Sequence, residues 1–146
     1  MPQTRWKRPE SVLVVVYTTI GEVLLLERTQ PAEFWQSVTG SLHWDELPAA
    51  AARRELFEET GIVAEPLDCQ IQNSFPILPA WRARYQPDVQ ENREHVFAVQ
   101  LPEICHLILS HEHLRSEWLA ADAAAQRCSS WTNAEAIRKI VTPGDR

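Results

Sequence analysis

The sequence predicts an α/β sandwich built on a mixed β-sheet, and three observations point to it. The runs SVLVVVY (11–17) and VLLLER (23–28) are apolar and rich in branched side chains, as strands are. The stretch Pro48–Thr60 has the composition and punctuation of a helix. Toward the C-terminus, further strand-like runs alternate with short helical ones, an interleaving that packs helices on a sheet. With 146 residues, 45% of them hydrophobic, the chain suits one domain over 1–146, because chains of roughly 100–150 residues already bury a proper core.

Taken in order, the first two strands form a hairpin around Gly21. A Pro- and Gly-punctuated stretch from Thr29 follows, and FWQSV reads as a loop and short strand ending at Gly40. Pro48 suits the first turn of the helix, Asp45 and Glu46 lie near its positive end, and Gly61 suits the left-handed residue past its last turn. The segments IVAEPL, DCQIQNSF and HVFAVQL read as strands. PILPAWRARYQPDVQENRE, between the last two, reads as a long irregular excursion whose length hints at function. SEWL is expected as a short strand and ADAAAQRC as a turn or two of helix. Thr132 to Glu135 fits a capping box opening a last helix through Val141.

A formal net charge of -6 argues against a nucleic acid polymer as partner, since such binding rests on neutralising phosphates. Cys69, Cys105 and Cys128 are odd in number and widely spaced, so they read as buried free thiols. No apolar run approaches the roughly 18–20 residues that span a bilayer, and the first eight residues lack a leader pattern. The expected setting is cytoplasmic, without a membrane partner, and a monomer is compatible with the sequence.

Chemistry concentrates on the helix. Glu55 and Glu59 are four residues apart and Glu58 is three from Glu55, so all three carboxylates project onto one arc of the helix surface. Ala49, Ala52 and Leu56 fall on an adjacent arc expected to be buried. Three acids on one arc repel one another unless something positive sits among them. Hard oxygen ligands of this kind suit Mg²⁺, with Mn²⁺ as a possible substitute. The competing reading is a solvated acidic face in which Glu58 simply pairs with Arg54.

The stretch GSLHWDELPAAAARRELFEETGI resembles the signature of the Nudix hydrolase family. Gly40 is followed after five residues by Glu46, after seven more by Arg54, Glu55 and Leu56, then by Glu58, Glu59, Gly61 and Ile62. The resemblance implies an α/β/α sandwich whose loop–helix–loop holds divalent metal for hydrolysis of a phosphoanhydride bond. It implies Glu55 and Glu59 as the main metal ligands, Glu58 as a further or water-mediated one, and a possible contact from the Gly40 carbonyl. Arg54 would orient Glu55, and Glu46 would brace the loop. Asp45 stands where many members carry a second glycine. A glutamate not fully committed to metal would accept the proton of the attacking water. Many members place an additional metal-binding or general-base glutamate on a late loop, and Glu112 in SHEHL (110–114) is the candidate here. The His-x-His of that segment also suggests a soft-metal site, but no third ligand accompanies it at suitable spacing.

The substrate must be read outside this box. WKRPESVLVVVY, FWQSVTGS and EHLRSEWL…SSWTNAEAI resemble the Nudix subfamily of bacterial pyrophosphatases that act on dihydroneopterin triphosphate in folate biosynthesis. A flat ring needs an aromatic or apolar slot, and its triphosphate needs cations. Trp35 and Trp81 are candidates for the slot, with core packing the alternative for each. Lys7 and Arg28 are candidates for phosphate, with Thr39 and Ser130 as hydroxyl contacts. Two other readings stay open: a (d)NTP pyrophosphatase that clears nucleotides, and a non-catalytic module that binds a nucleotide-like ligand.

Overall fold

Strand β1 (Glu10–Thr18) organises the molecule, because its side chains feed cores on both faces of one sheet. The computed structural model describes residues 6–141. Gly21, at φ 87°, closes the hairpin into β2 (Glu22–Arg28), and its N–H donates to Thr18 O at 2.9 Å. The short strands β3 (Trp35–Gln36) and β4 (Val38–Ser41) follow, β4 pairing antiparallel with the first half of β1. Helix α1 (Pro48–Thr60) has the bounds expected from its flanking Pro48 and Gly61. Gly61 ends it at φ 80°, its N–H donating to Phe57 O at 2.8 Å.

Beyond α1, residues 61–66 form no strand, so IVAEPL is a connection up to its last residue, and pairing starts there with β5 (Leu67–Pro76). β6 (Glu91–Leu101) starts earlier than expected, since ENRE joins the ladder instead of the excursion. The excursion between β5 and β6 contains a 3-10 helix, Pro79–Arg84. Its base is closed by a hydrogen bond from Ile77 N to Gln90 O at 2.9 Å. β6 lies parallel to β1 over nine residue pairs, whereas the other strand pairs are antiparallel, which makes the sheet mixed. β7 (His113–Ala120) pairs with β2 and includes His113 and Leu114, expected in a loop. Helices α2 (Ala121–Arg127) and α3 (Trp131–Ile140) complete the order. No capping box forms at α3: Ser130 is the N-cap, and Thr132 is buried with its hydroxyl against Ser130 Oγ at 2.9 Å.

Side chains alternate across β1, so Val12, Val14 and Val16 pack with Ala51, Ala52 and Leu56 of α1, whereas Leu13 and Val15 pack toward Ala124 and Ile137 of α2 and α3. The layers are therefore α/β/α. Ala51 is buried on α1 and Ala49 is exposed, contrary to the expected arc, because the helix turns its Ala51–Ala52 edge toward the sheet. Cys105 is exposed, Cys69 and Cys128 are half-buried, and all three are free thiols, so the cysteines are free as expected but none is fully buried. No helix among the described residues is long and apolar enough to cross a membrane.

Leu56 is fully buried between α1 and the sheet. Leu56→Ala is expected to cost about 2–5 kcal/mol by opening a cavity there. Denaturant unfolding measures this, and an unchanged midpoint would contradict the packing described.

Candidate functional site

Helix α1 does not display its three acids alike. Glu55 and Glu59 are buried, Glu59 to 2% exposure, against the backbone of β4, whereas Glu58 is exposed. The shared outward arc is thus corrected: α1 presses its Glu55–Glu59 edge onto the sheet. Glycine at position 40 permits this approach, since a Cβ there would overlap the Glu55 carboxylate. The Thr39 backbone N–H and the Glu55 carboxyl both bond the Glu59 carboxyl. Its Oε1 has no hydrogen-bond partner.

Arg54 sets the loop before the helix. Its Nε and Nη2 donate to the two oxygens of Glu46 at 2.8 and 2.7 Å, its Nη1 to Glu55 Oε2 at 2.9 Å and to Glu58 Oε1 at 3.2 Å, and its Nη2 also to Ser41 O at 3.1 Å. The guanidinium holds the Glu46 carboxyl down at about 2. Glu46 therefore turns to Arg54 rather than capping the helix. Arg8, which carried no sequence signal, donates to the carbonyls of His43, Trp44 and Glu46 and fixes the loop from the other side.

Burial pushes the Glu55 carboxyl up, with Arg54 opposing it, and pushes Glu59 well above the usual carboxyl range, with neighbouring Glu55 adding to the rise. Two buried carboxylates and an unpartnered oxygen fit a hard divalent cation, which would relieve both repulsion and desolvation. Among the described residues no three acidic, imidazole or thiol side chains already form a metal cage. A cation held by Glu55 and Glu59 would complete its shell with water, phosphate oxygens or rim carboxylates such as Glu58 and Glu112.

A cavity of about 1110 Å³ opens beside this pair, and it brings together most of the candidates. Lys7, Arg28, Thr39, Gly40, Glu112 and Ser130 all line it, as do Arg54, Glu55 and Glu58. Trp81 lines it from the 3-10 helix, with its ring edge-to-face to Phe34 at 5.8 Å and the Arg28 guanidinium 5.5 Å over it. Arg84 also lines the cavity, and its charge, that of Arg28 and above all burial push the Lys7 ammonium down. The Thr39 hydroxyl donates to Val12 O at 2.8 Å and so is already engaged.

Trp35 does not join them. It is buried in the second core, with Arg127 and Arg115 over its ring at 5.1 and 5.7 Å, while its neighbours Phe34 and Gln36 face the cavity. Alternation along the extended chain sends it the other way. His111 is exposed and His113 buried, so the two do not make one metal site. His113 was missed: its Nε2 lies 3.8 Å from Glu59 Oε1, and burial pushes its pKa down, which favours the neutral ring. Arg84, Asn92 and Glu94 were also missed, inside a stretch without clear periodicity. Carrying the alternation of β6 back from Val96 would have turned Glu94 inward.

A family model described as NUDIX domain matches residues 7–140. The chain is 44% identical over 142 residues to the dihydroneopterin triphosphate diphosphatase of Escherichia coli (strain K12), covering 93% of this chain and 94% of that protein. It is 39% identical over 143 residues to the Haemophilus influenzae protein of the same name, covering 94% and 90%. The solved E. coli dihydroneopterin triphosphate pyrophosphohydrolase superposes with a TM-score of 0.88 at 41% identity, over 93% of this chain and 97% of that one. A C. elegans Ap4A hydrolase, at a TM-score of 0.70 and 21% identity over 89% and 93%, shares the fold.

A carboxyl raised on folding stabilises the protein while protonated and loses that contribution as pH rises through its folded pKa. In chelator, the melting temperature of the wild-type protein should therefore fall more steeply as pH rises above the ordinary carboxyl range than that of Glu59→Gln, which cannot ionise. Parallel curves would show that Glu59 carries no buried charge at neutral pH.

Proposed function

The chain belongs to the Nudix family, and we propose that it hydrolyses dihydroneopterin triphosphate to dihydroneopterin monophosphate and pyrophosphate, a cytoplasmic step of folate biosynthesis that requires Mg²⁺. One observation carries the reading: a single cavity joins Glu55, whose carboxyl bonds the buried Glu59 behind it, with the cations Lys7, Arg28 and Arg84 and the aromatic wall of Phe34 and Trp81. Near-full-length identity to diphosphatases named for that substrate supports it.

The three cations fit the polyphosphate, which the acidic helix alone would repel. Phe34 and Trp81 offer the flat ring an apolar wall. Glu55 and Glu59, with Glu58 and the Gly40 carbonyl beside them, would hold Mg²⁺, which when bound would neutralise charge on the phosphoryl oxygens and lower the pKa of water. Arg54 keeps Glu55 aimed at this position while Glu46 locks Arg54. His113 borders Glu59 as a neutral ring and adds no competing positive charge. Glu112 stands at the cavity rim, where its backbone carbonyl accepts from Thr29 N at 2.9 Å, so the late segment is already docked beside Arg28. In this reading its carboxylate takes the proton from the attacking water.

A substrate panel tests the proposal. kcat/KM for dihydroneopterin triphosphate should exceed that for the common dNTPs, with pyrophosphate released only when Mg²⁺ is present. A preference for any dNTP would replace this substrate assignment with nucleotide clearance. Glu112→Gln should lower kcat by roughly 10²-fold with a smaller effect on KM, the scale of a lost acid–base group. His111→Ala should do far less, and equal damage from the two variants would withdraw the role given to Glu112.

A further inference from the structure

Three buried polar atoms on residues lining the same cavity have nothing to bond: Gln36 Nε2, Asn92 Oδ1 and Glu94 Oε1. All three residues are at most 6% exposed. Asn92 and Glu94 are two apart on β6, so they leave the sheet on one face and continue the row of Val96 toward the cavity. Asn92 Nδ2 donates to Ser11 Oγ at 2.8 Å. The Ser11 hydroxyl can also donate, so turning the amide over would only exchange an orphan acceptor for an orphan donor.

Glu94 is the most costly of the three. The Asn73 and Thr132 side chains bond its carboxyl, yet burial outweighs them and pushes its pKa up, and no cation pairs with it among the described contacts. A buried acid with a spare oxygen destabilises the fold unless a bound group brings donors to it. Nothing in the phosphate chemistry uses this acid, because it would repel the triphosphate.

We propose that Glu94, assisted by Gln36 and Asn92, reads the 2-amino-4-oxopyrimidine edge of the substrate ring. The N3–H and 2-amino donors of that edge approach the Glu94 carboxylate, and the ring carbonyl accepts from the Gln36 amide. This deepens the substrate reading above and rests on it, but guanine presents the same edge. Adenine instead offers a lone pair at the ring nitrogen where the pterin and guanine carry N–H, and a carboxylate repels it.

The experiment compares wild type, Glu94→Gln and Gln36→Met on dihydroneopterin triphosphate, dGTP and dATP, and measures binding of neopterin, which lacks phosphate, by its fluorescence. Thermal unfolding establishes that each variant is folded. Glu94→Gln should bind neopterin roughly 10- to 100-fold more weakly, the range for a lost hydrogen bond to a charged group. Its dGTP over dATP ratio in kcat/KM should fall toward one. Gln36→Met should show the same pattern with a smaller loss, and it decides the matter if Glu94→Gln does not fold. Unchanged neopterin affinity in the folded variants, or equal losses on dGTP and dATP, overturns the proposal. If wild type fails to prefer dihydroneopterin triphosphate but its dGTP preference depends on Glu94, the edge recognition stands and the substrate reading falls.

Discussion

Two glutamates buried against each other are the constraint from which the site follows. Water would solvate each carboxylate far better than the cleft between α1 and β4 does, so the pair persists only with a proton or a cation between its members. Much of the local architecture then becomes intelligible. Position 40 is glycine because a side chain would displace Glu55. Arg54 is tied on two sides so that one carboxylate keeps its orientation. His113 borders the other as a ring that burial keeps uncharged. An acidic pair stabilised by proton alone would be a liability at neutral pH, and the arrangement suits a family of hydrolases that generally use divalent metals.

The surrounding charge is sorted by distance from that pair. The protein is acidic overall, yet Lys7, Arg28 and Arg84 gather at one cavity. Their mutual repulsion contributes to the lowered pKa of Lys7, so each would gain from an anionic ligand. The polar, unpartnered atoms lie on another part of the same wall. A ligand with a polyanionic end and a hydrogen-bonding ring is the molecule that satisfies both.

Much of this was legible in the sequence where local chemistry decides the outcome. Pro48 and Gly61 bracket α1 because one suits a first turn and the other the left-handed cap. The branched runs of β1 and β2 could not be mistaken for loops. Legibility failed where distant packing decides. Which face of α1 turns inward depends on β4, so Glu55 and Glu59 were read as outward-facing and Ala49 as buried. Trp35 and Trp81 look alike in composition, and only alternation around Phe34 and the position of the 3-10 helix separate them. The stretch from Ile77 to Glu94 mixes proline, arginine and acid without a period, so Arg84 and Glu94 gave no usable signal. His111 and His113 flank the same glutamate, and the strand start at His113 alone shows which is buried.

The hydrogen bond between Ile77 and Gln90 pins the two ends of the excursion where the β5–β6 ladder stops. What lies between them can consequently change in length at small entropic cost without shifting either strand, provided Arg84 keeps the hydrogen bond its carbonyl accepts from Lys7 N. Evolutionary drift in what the protein accepts can therefore proceed through Trp81 and its neighbours on the loop while the α1 glutamates keep their places, and a laboratory redesign of its selectivity would begin at the same segment, residues 78–89, leaving Arg84 to the phosphates.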